Sequence, residues 1–296
     1  MLKFYKKIFG IILITISICC LLYCSSGTEP SVDPLVLSFE TANASYMEAN
    51  DGSIDLTVSG GTSPFSYLWS TGATSEDLDQ LSAGVYKVTV TDSEGQHKTD
   101  SIQITQPNNI GRVTDIDGNI YKTIKIGEQW WMAENLNVIH NSRGEEITSC
   151  VYNDDATNEN TYGRLYTWDS AMDSTQYSGG RGIAPEGWHI PTTAEWQELA
   201  TYLGGLTIAG GKMKQVGQSL WLSPNTGATN SSKFNALPGG EKEGSRYQFK
   251  GQIAIFWSSV SQHEKAFYYY LSNDNAEMKK LLWNKDLWYS IRCIKD

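Results

Sequence analysis

Pro185-Glu186-Gly187-Trp188-His189-Ile190-Pro191-Thr192-Thr193-Ala194-Glu195-Trp196 is the stretch that decides the character of the second half of this chain. Pro191 closes an extended segment. Thr192 stands at a helix N-cap, and Glu195 follows three residues later, which completes a capping box. Trp196, Leu199, Ala200 and Leu203 then recur at i, i+3, i+4 and i+7, one apolar face of a short helix. Gly204-Gly205 stops it. The expected unit is a strand, a turn and a capped amphipathic helix pinned by two tryptophans.

Other motifs surround this unit. Upstream, Val113-Thr114-Asp115-Ile116 and Ile120-Tyr121-Lys122-Thr123-Ile124-Lys125-Ile126 flank Asp117-Gly118-Asn119, a hairpin signature. Gln129-Trp130-Trp131-Met132-Ala133-Glu134-Asn135 and Tyr162-Gly163-Arg164-Leu165-Tyr166-Thr167-Trp168 follow. Downstream come Phe256-Trp257-Ser258-Ser259 and Tyr289-Ser290-Ile291-Arg292-Cys293-Ile294. This ordered set resembles the Fibrobacter succinogenes major paralogous domain, over roughly residues 111–296. The cassette and the Arg292-Cys293 ending are also similar to the formylglycine-generating-enzyme and C-type-lectin-like folds. That resemblance implies an α+β domain at 110–296 with a few short helices and long surface loops. Gly and Asn are dense over residues 204–251, which reads as loop.

Residues 37–107 read differently. Ile54-Asp55-Leu56-Thr57-Val58 and Tyr86-Lys87-Val88-Thr89-Val90 alternate apolar and polar, as does Ile102-Gln103-Ile104. Gly- and Asn-rich turns separate the runs. With Trp69 at its centre, the block predicts a small all-β Ig-like sandwich without a disulfide. Its wording, Val58-Ser59-Gly60-Gly61-Thr62-Ser63-Pro64-Phe65 and then Leu81-Ser82-Ala83-Gly84-Val85-Tyr86, resembles a SprB-type repeat, which implies a spacer module of bacterial surface proteins. Pro107-Asn108-Asn109 marks the boundary between the two domains.

The first residues carry Lys3, Lys6 and Lys7 and then an apolar run, too short for a bilayer span but suited to a signal core. With Cys24 and a Ser-rich tether next, the segment resembles a bacterial lipoprotein signal: signal peptide 1–23, acylated Cys24, tether 24–36. Tyr23 departs from the small residue usual there. An uncleaved anchor or a plain secretory signal is the alternative. The expected setting is the cell envelope, lipid-anchored at the outer membrane or cell surface. Removal of the signal leaves Cys150 and Cys293, which in an oxidising compartment either pair or stay as separate buried thiols. A bridge would contribute about 4–5 kcal/mol in the chain-entropy model. The formal charge of −10 argues against nucleic acid as a partner.

No residue stands out as catalytic. There is no CxxC and no Gly-x-Ser-x-Gly. His189 lies in an alternating strand and reads as a hydrogen-bonded structural residue. His140 and His263 show no metal-ligand spacing. The pairs Glu145-Glu146 and Asp154-Asp155 could serve a polysaccharide-acting enzyme only if a cleft held them about 5–10 Å apart. Asp115-x-Asp117-Gly118-Asn119 reads as a hairpin turn rather than a calcium loop. Trp283-Asn284-Lys285-Asp286 resembles the Trp-Asn-Asp motif of calcium-dependent lectins, and Ser223-Pro224-Asn225 their Glu-Pro-Asn loop. Lys285 and the missing carboxylate at Ser223 weaken both, so no metal ligand is assigned, although calcium stays possible. Sugar rings rest on aromatic faces. Trp221, Trp283 and Trp288, with Asn284 and Asp286, are therefore the candidate ligand-binding residues. Trp130, Trp131, Trp168, Trp188, Trp196 and Trp257 are assigned to the core. The expected function is non-catalytic recognition of a glycan or surface protein. The alternatives are the enzyme just named and a purely structural envelope component.

Overall fold

A computed structural model describes residues 33–173 and 181–296. The signal segment, Cys24 and most of the tether lie outside the described residues. The chain is mainly β, arranged in several sheets.

The first domain holds β1 (Val36–Ala42), β2 (Gly52–Ser59), β3 (Ser66–Trp69), β4 (Leu78–Leu81), β5 (Gly84–Thr91) and β6 (His97–Ile104). They form two three-stranded antiparallel sheets, β1-β2-β4 and β3-β5-β6. The alternation expected in β2 and β5 is the alternation observed. Ile54, Leu56, Tyr86, Val88 and Val90 face inward onto Trp69, whose Nε1 donates to Ser75 O at 2.9 Å. Tyr46 and Met47 meet the start of the next domain. Met47 N donates to Ile110 O at 2.8 Å, and the Arg112 guanidinium lies 4.5 Å over the Tyr46 ring.

The second domain opens with β7 (Ile110–Thr114), β8 (Ile120–Ile126) and β9 (Gln129–Met132), then β10 (Ser149–Cys150). Next are α1 (Glu159–Tyr162), β11 (Leu165–Tyr166), α2 (Trp168–Met172), β12 (Trp188–His189), α3 (Thr193–Tyr202) and α4 (Leu206–Met213). It closes with β13 (Glu241–Glu243), β14 (Arg246–Gln248), β15 (Ile253–Gln262), β16 (Lys265–Ser272), β17 (Met278–Asn284) and β18 (Ile294–Lys295). One sheet runs β12-β18-β9-β8-β7 and another β15-β16-β17.

The opening cassette folds as its residues dictate. Thr192 Oγ1 accepts from Glu195 N at 3.3 Å and Glu195 Oε2 accepts from Thr192 N at 2.7 Å, the complete capping box. Trp196, Leu199, Ala200 and Leu203 are all buried. The Trp196 ring stacks on Tyr269 at 5.1 Å and on Phe256 at 5.8 Å, and lies 4.7 Å from Trp131. These rings centre one core cluster. A second gathers Met132, Tyr166, Trp188, Trp257, Tyr289 and Cys293. The sheet β15-β16-β17 separates them. Ala254, Phe256, Tyr269 and Leu271 face the first cluster, while Ile255, Trp257 and Ala266 face the second. Cover on both faces explains why Ile253-Ala254-Ile255-Phe256-Trp257 is one continuous apolar run.

Residues 204–251 are not merely loop. They contain α4 and the β13–β14 hairpin. Two buried cations tie this excursion to the scaffold. Lys214 Nζ donates to Thr226 O, Ser272 O and Asn275 O at 2.9, 2.7 and 2.7 Å. Arg292 donates to Asn135 Oδ1 at 2.6 Å and to the backbone oxygens of Met132, Phe234 and Asn235 at 3.0, 2.7 and 3.0 Å. Among the described residues neither cation faces a carboxylate at hydrogen-bond distance; carbonyl dipoles meet the charge directly, and Asp274 and Glu134 act on Lys214 and Arg292 from farther away. Burial pushes Lys214 down to about 8 and Arg292 down to about 9.

Candidate functional site

The outer edge of the β15-β16-β17 sheet carries an exposed aromatic surface. β16 pairs with β17 in the register Ala266↔Trp283, Tyr268↔Leu281 and Tyr270↔Lys279. Directly opposed residues share a face, so Trp283, Leu281, Tyr268 and Tyr270 line one side of the sheet. Near β15 that side is roofed by the second core cluster. At β17 the roof ends. Trp283 is 51 % exposed and Leu281 44 %, with Tyr268 and Tyr270 half-buried behind them. The strip from position 279 to 283 spans about 14 Å at the rise of an extended strand. Lysines border it. Lys265 Nζ stands 5.7 Å over the Trp283 ring and Lys279 Nζ 5.7 Å over the Tyr270 ring.

Asn284 and Asp286 occupy the next corner. Alternation turns the Asn284 side chain away from the Trp283 face. It lines a shallow depression of about 530 Å³ with Asp286, Lys285, Thr167, Asp169 and Glu264. Lys285 Nζ lies 4.2 Å over the Trp168 ring, which draws its charge to one wall. The side chains of Asn284 and Asp286 take no hydrogen bond among the described residues.

The other two candidate tryptophans belong to the scaffold. Trp221 is 1 % exposed, packs in the first core cluster and donates Nε1 to Ala236 O at 3.0 Å. Its assignment to ligand binding is corrected on that ground: a ring with no free face cannot carry a sugar. Trp288 is half-buried against Cys150, Tyr152 and Leu165, and Lys242 Nζ lies 4.9 Å from both its ring and that of Tyr247. Conversely, neither Leu281 nor Tyr270 is among the candidate ligand-binding residues of the sequence. Met278-Lys279-Lys280-Leu281-Leu282-Trp283-Asn284 has no clean alternation, so the exposed face is visible only from the pairing.

Of the two alternatives for the cysteines, the structure shows separate buried thiols. Cys150 and Cys293 are both free and buried, and they sit in different clusters. Burial pushes both thiols up.

Among the ionisable candidates, His189 is a hinge of hydrogen bonds. Its Nε2 is 2.8 Å from Glu195 Oε1 and its Nδ1 2.7 Å from Asp296 Oδ1. The Glu195 bond outweighs burial and raises His189 above its ordinary value. Asp115 closes the β7–β8 hairpin. Its Oδ1 accepts from Asp117 N and Asn119 N, and its Oδ2 from Asn119 Nδ2 and Tyr121 OH. The loop acids are similarly engaged. Glu145 accepts from Arg143 and Asn141, Asp154 from Tyr247 OH at 2.6 Å, and Asp155 caps the turn at Thr157. Among the described residues no group of three His, Cys, Asp or Glu could hold a metal ion, and no helix is long and apolar enough to cross a membrane.

Comparison with known proteins finds two family matches. Residues 40–74 match the SprB repeat. No curated protein and no solved structure matches the chain. Residues 124–295, more than half of the sequence, match the Fibrobacter succinogenes major domain, and the chain belongs to that family.

Proposed function

We propose that this chain is a cell-surface lipoprotein in which Cys24 carries the lipid, the Ig-like domain acts as a spacer, and the terminal domain, of C-type-lectin-like type, recognises glycans without catalysis. One observation carries the reading: Leu281 and Trp283 stand open at a sheet edge, with the half-buried Tyr270 behind them. Large apolar side chains grouped in the open mark interaction surfaces. A flat aromatic strip suits the C–H face of a sugar chain, and the lysines on its border supply hydrogen-bond donors to hydroxyls. The SprB match supports the surface location.

A glycan array probed with the purified chain, with and without EDTA, tests this. The expected result is retention of at least one glycan class, lost on Trp283→Ala. The EDTA arm reports any dependence on calcium. Retention unchanged by Trp283→Ala, or no retention at all, would sink the reading. Cleavage of a retained polysaccharide would replace it with the enzymatic alternative. A mass spectrum of the mature protein showing an unmodified Cys24 would refute the anchor.

A further inference from the structure

A second concave site lies away from the strip, between the β7–β8 hairpin, residues 140–142 and residues 181–186. It encloses about 400 Å³ and is bounded by Asp115, Ile116, His140, Ser142, Arg181, Ile183 and Glu186, among others. That size suits a small ligand. Its chemistry is divided. Ile183, Ala184 and Pro185 are buried and give an apolar floor. His140 is held in place by Asp117. Asp117 Oδ2 accepts from Ile139 N at 2.6 Å and His140 N at 3.2 Å, while Asp117 Oδ1 lies 2.5 Å from His140 Nδ1. This fixes the ring and leaves Nε2 with no protein partner among the described residues.

Arg181 decides what the cavity would take. Arg181 is half-buried and lines the wall, and its guanidinium makes no hydrogen bond or ion pair among the described residues. A guanidinium presents a planar fork of donors matched to a carboxylate. The buried acid beside it is not available, because four donors already saturate Asp115. Glu186 is exposed at the rim and takes no side-chain hydrogen bond among the described residues, which leaves its carboxylate to accept from a hydroxyl. The lining therefore asks for one molecule that offers a carboxylate, several hydroxyls and an apolar face.

We propose that this cavity binds a uronic acid, a sugar bearing a carboxylate, with the carboxylate on Arg181, hydroxyls on His140, Ser142 and Glu186, and the C–H face on Ile183, Ala184 and Pro185. The site shares no residue with the β17 strip and does not depend on the reading of that strip.

Isothermal titration calorimetry on the purified full chain tests it with glucuronic acid, its methyl ester and methyl glucoside. Saturable binding of the acid is expected, with the ester and the glucoside at least about tenfold weaker. Arg181→Gln is expected to weaken the acid by a similar factor, and Trp283→Ala to leave it unchanged. No saturable binding of glucuronic acid would overturn the proposal. So would equal affinity for acid and ester on the unmodified chain, a comparison that needs no variant to fold. Loss of glucuronic acid binding in Trp283→Ala would assign the ligand to the strip instead and overturn the cavity site.

Discussion

Trp221 and Trp283 are chemically identical and lie in similar sequence, yet their surroundings give them opposite roles. Trp221 is enclosed, with its Nε1 bonded and the Lys214 ammonium 5.4 Å from its ring. Trp221→Ala removes a full aromatic volume from a packed site and is expected to cost about 3–5 kcal/mol. Trp283→Ala removes a ring that is half in water, so its cost is expected to stay below about 1 kcal/mol. Urea unfolding midpoints of the two variants check this. A large loss for Trp283→Ala would mean that the strip is scaffold rather than a platform. Arg292 belongs with Trp221: its buried charge is matched by four fixed oxygens that no sequence pattern announces.

Helix α4 shows what an element needs that its own sequence does not favour. Leu206-Thr207-Ile208-Ala209-Gly210-Gly211-Lys212-Met213 contains two helix-weakening glycines. Both are required by close approach. A Cβ on Gly210 would stand 2.2 Å from Glu277 O, and one on Gly211 2.4 Å from Gly227 O. Gly210→Ala should raise intrinsic helix propensity by about 1 kcal/mol, yet is expected to destabilise the protein by roughly 1–3 kcal/mol. Thermal denaturation decides the sign, and a raised midpoint would show that α4 does not lie against residues 276–277. At the head of α3, the hydrogen bonds of His189 make stability depend on pH. His189 is raised by Glu195 and Asp296, so its contribution is complete below its ordinary value of 6.5 and is lost as pH rises through the folded value. Burial pulls Glu195 up, but the bonds from His189 and Thr192 outweigh it and hold it low. Its contribution is present above its ordinary value of 4.5 and is lost as pH falls through the folded value. Stability from this cluster is therefore expected to be greatest between about pH 4.5 and 6.5. In His189→Gln the decline on the alkaline side should vanish. An unchanged pH profile would show that the cluster is not formed.

For the whole molecule, packing rather than cross-linking holds the terminal domain together. Two aromatic clusters lie on either side of one sheet, and the two cysteines are separate thiols. The mature chain is thus expected to yield two titratable thiols at Cys150 and Cys293 on denaturation without reductant, with a melting temperature that reductant does not shift. A mass of the unreduced protein two hydrogens lower would contradict this. Much of the organisation was legible beforehand. The Ig-like alternation, the Asp117-Gly118-Asn119 hairpin and the Thr192–Glu195 cap are local features, written in residues close together in the chain. α4 was hidden because its glycines answer to residues 227 and 276–277, far along the chain. The exposed strip was hidden for the same kind of reason, since β17 lies at an edge only because β15 occupies the other side of β16. By itself the sequence determined the order of the two domains, their strand-rich character and the capped helix, because propensity, turn chemistry and periodicity act over a few neighbouring residues. Only the tertiary structure decided which tryptophan meets water, which cations are buried and whether the cysteines meet, because each of these depends on pairings between residues distant in the chain.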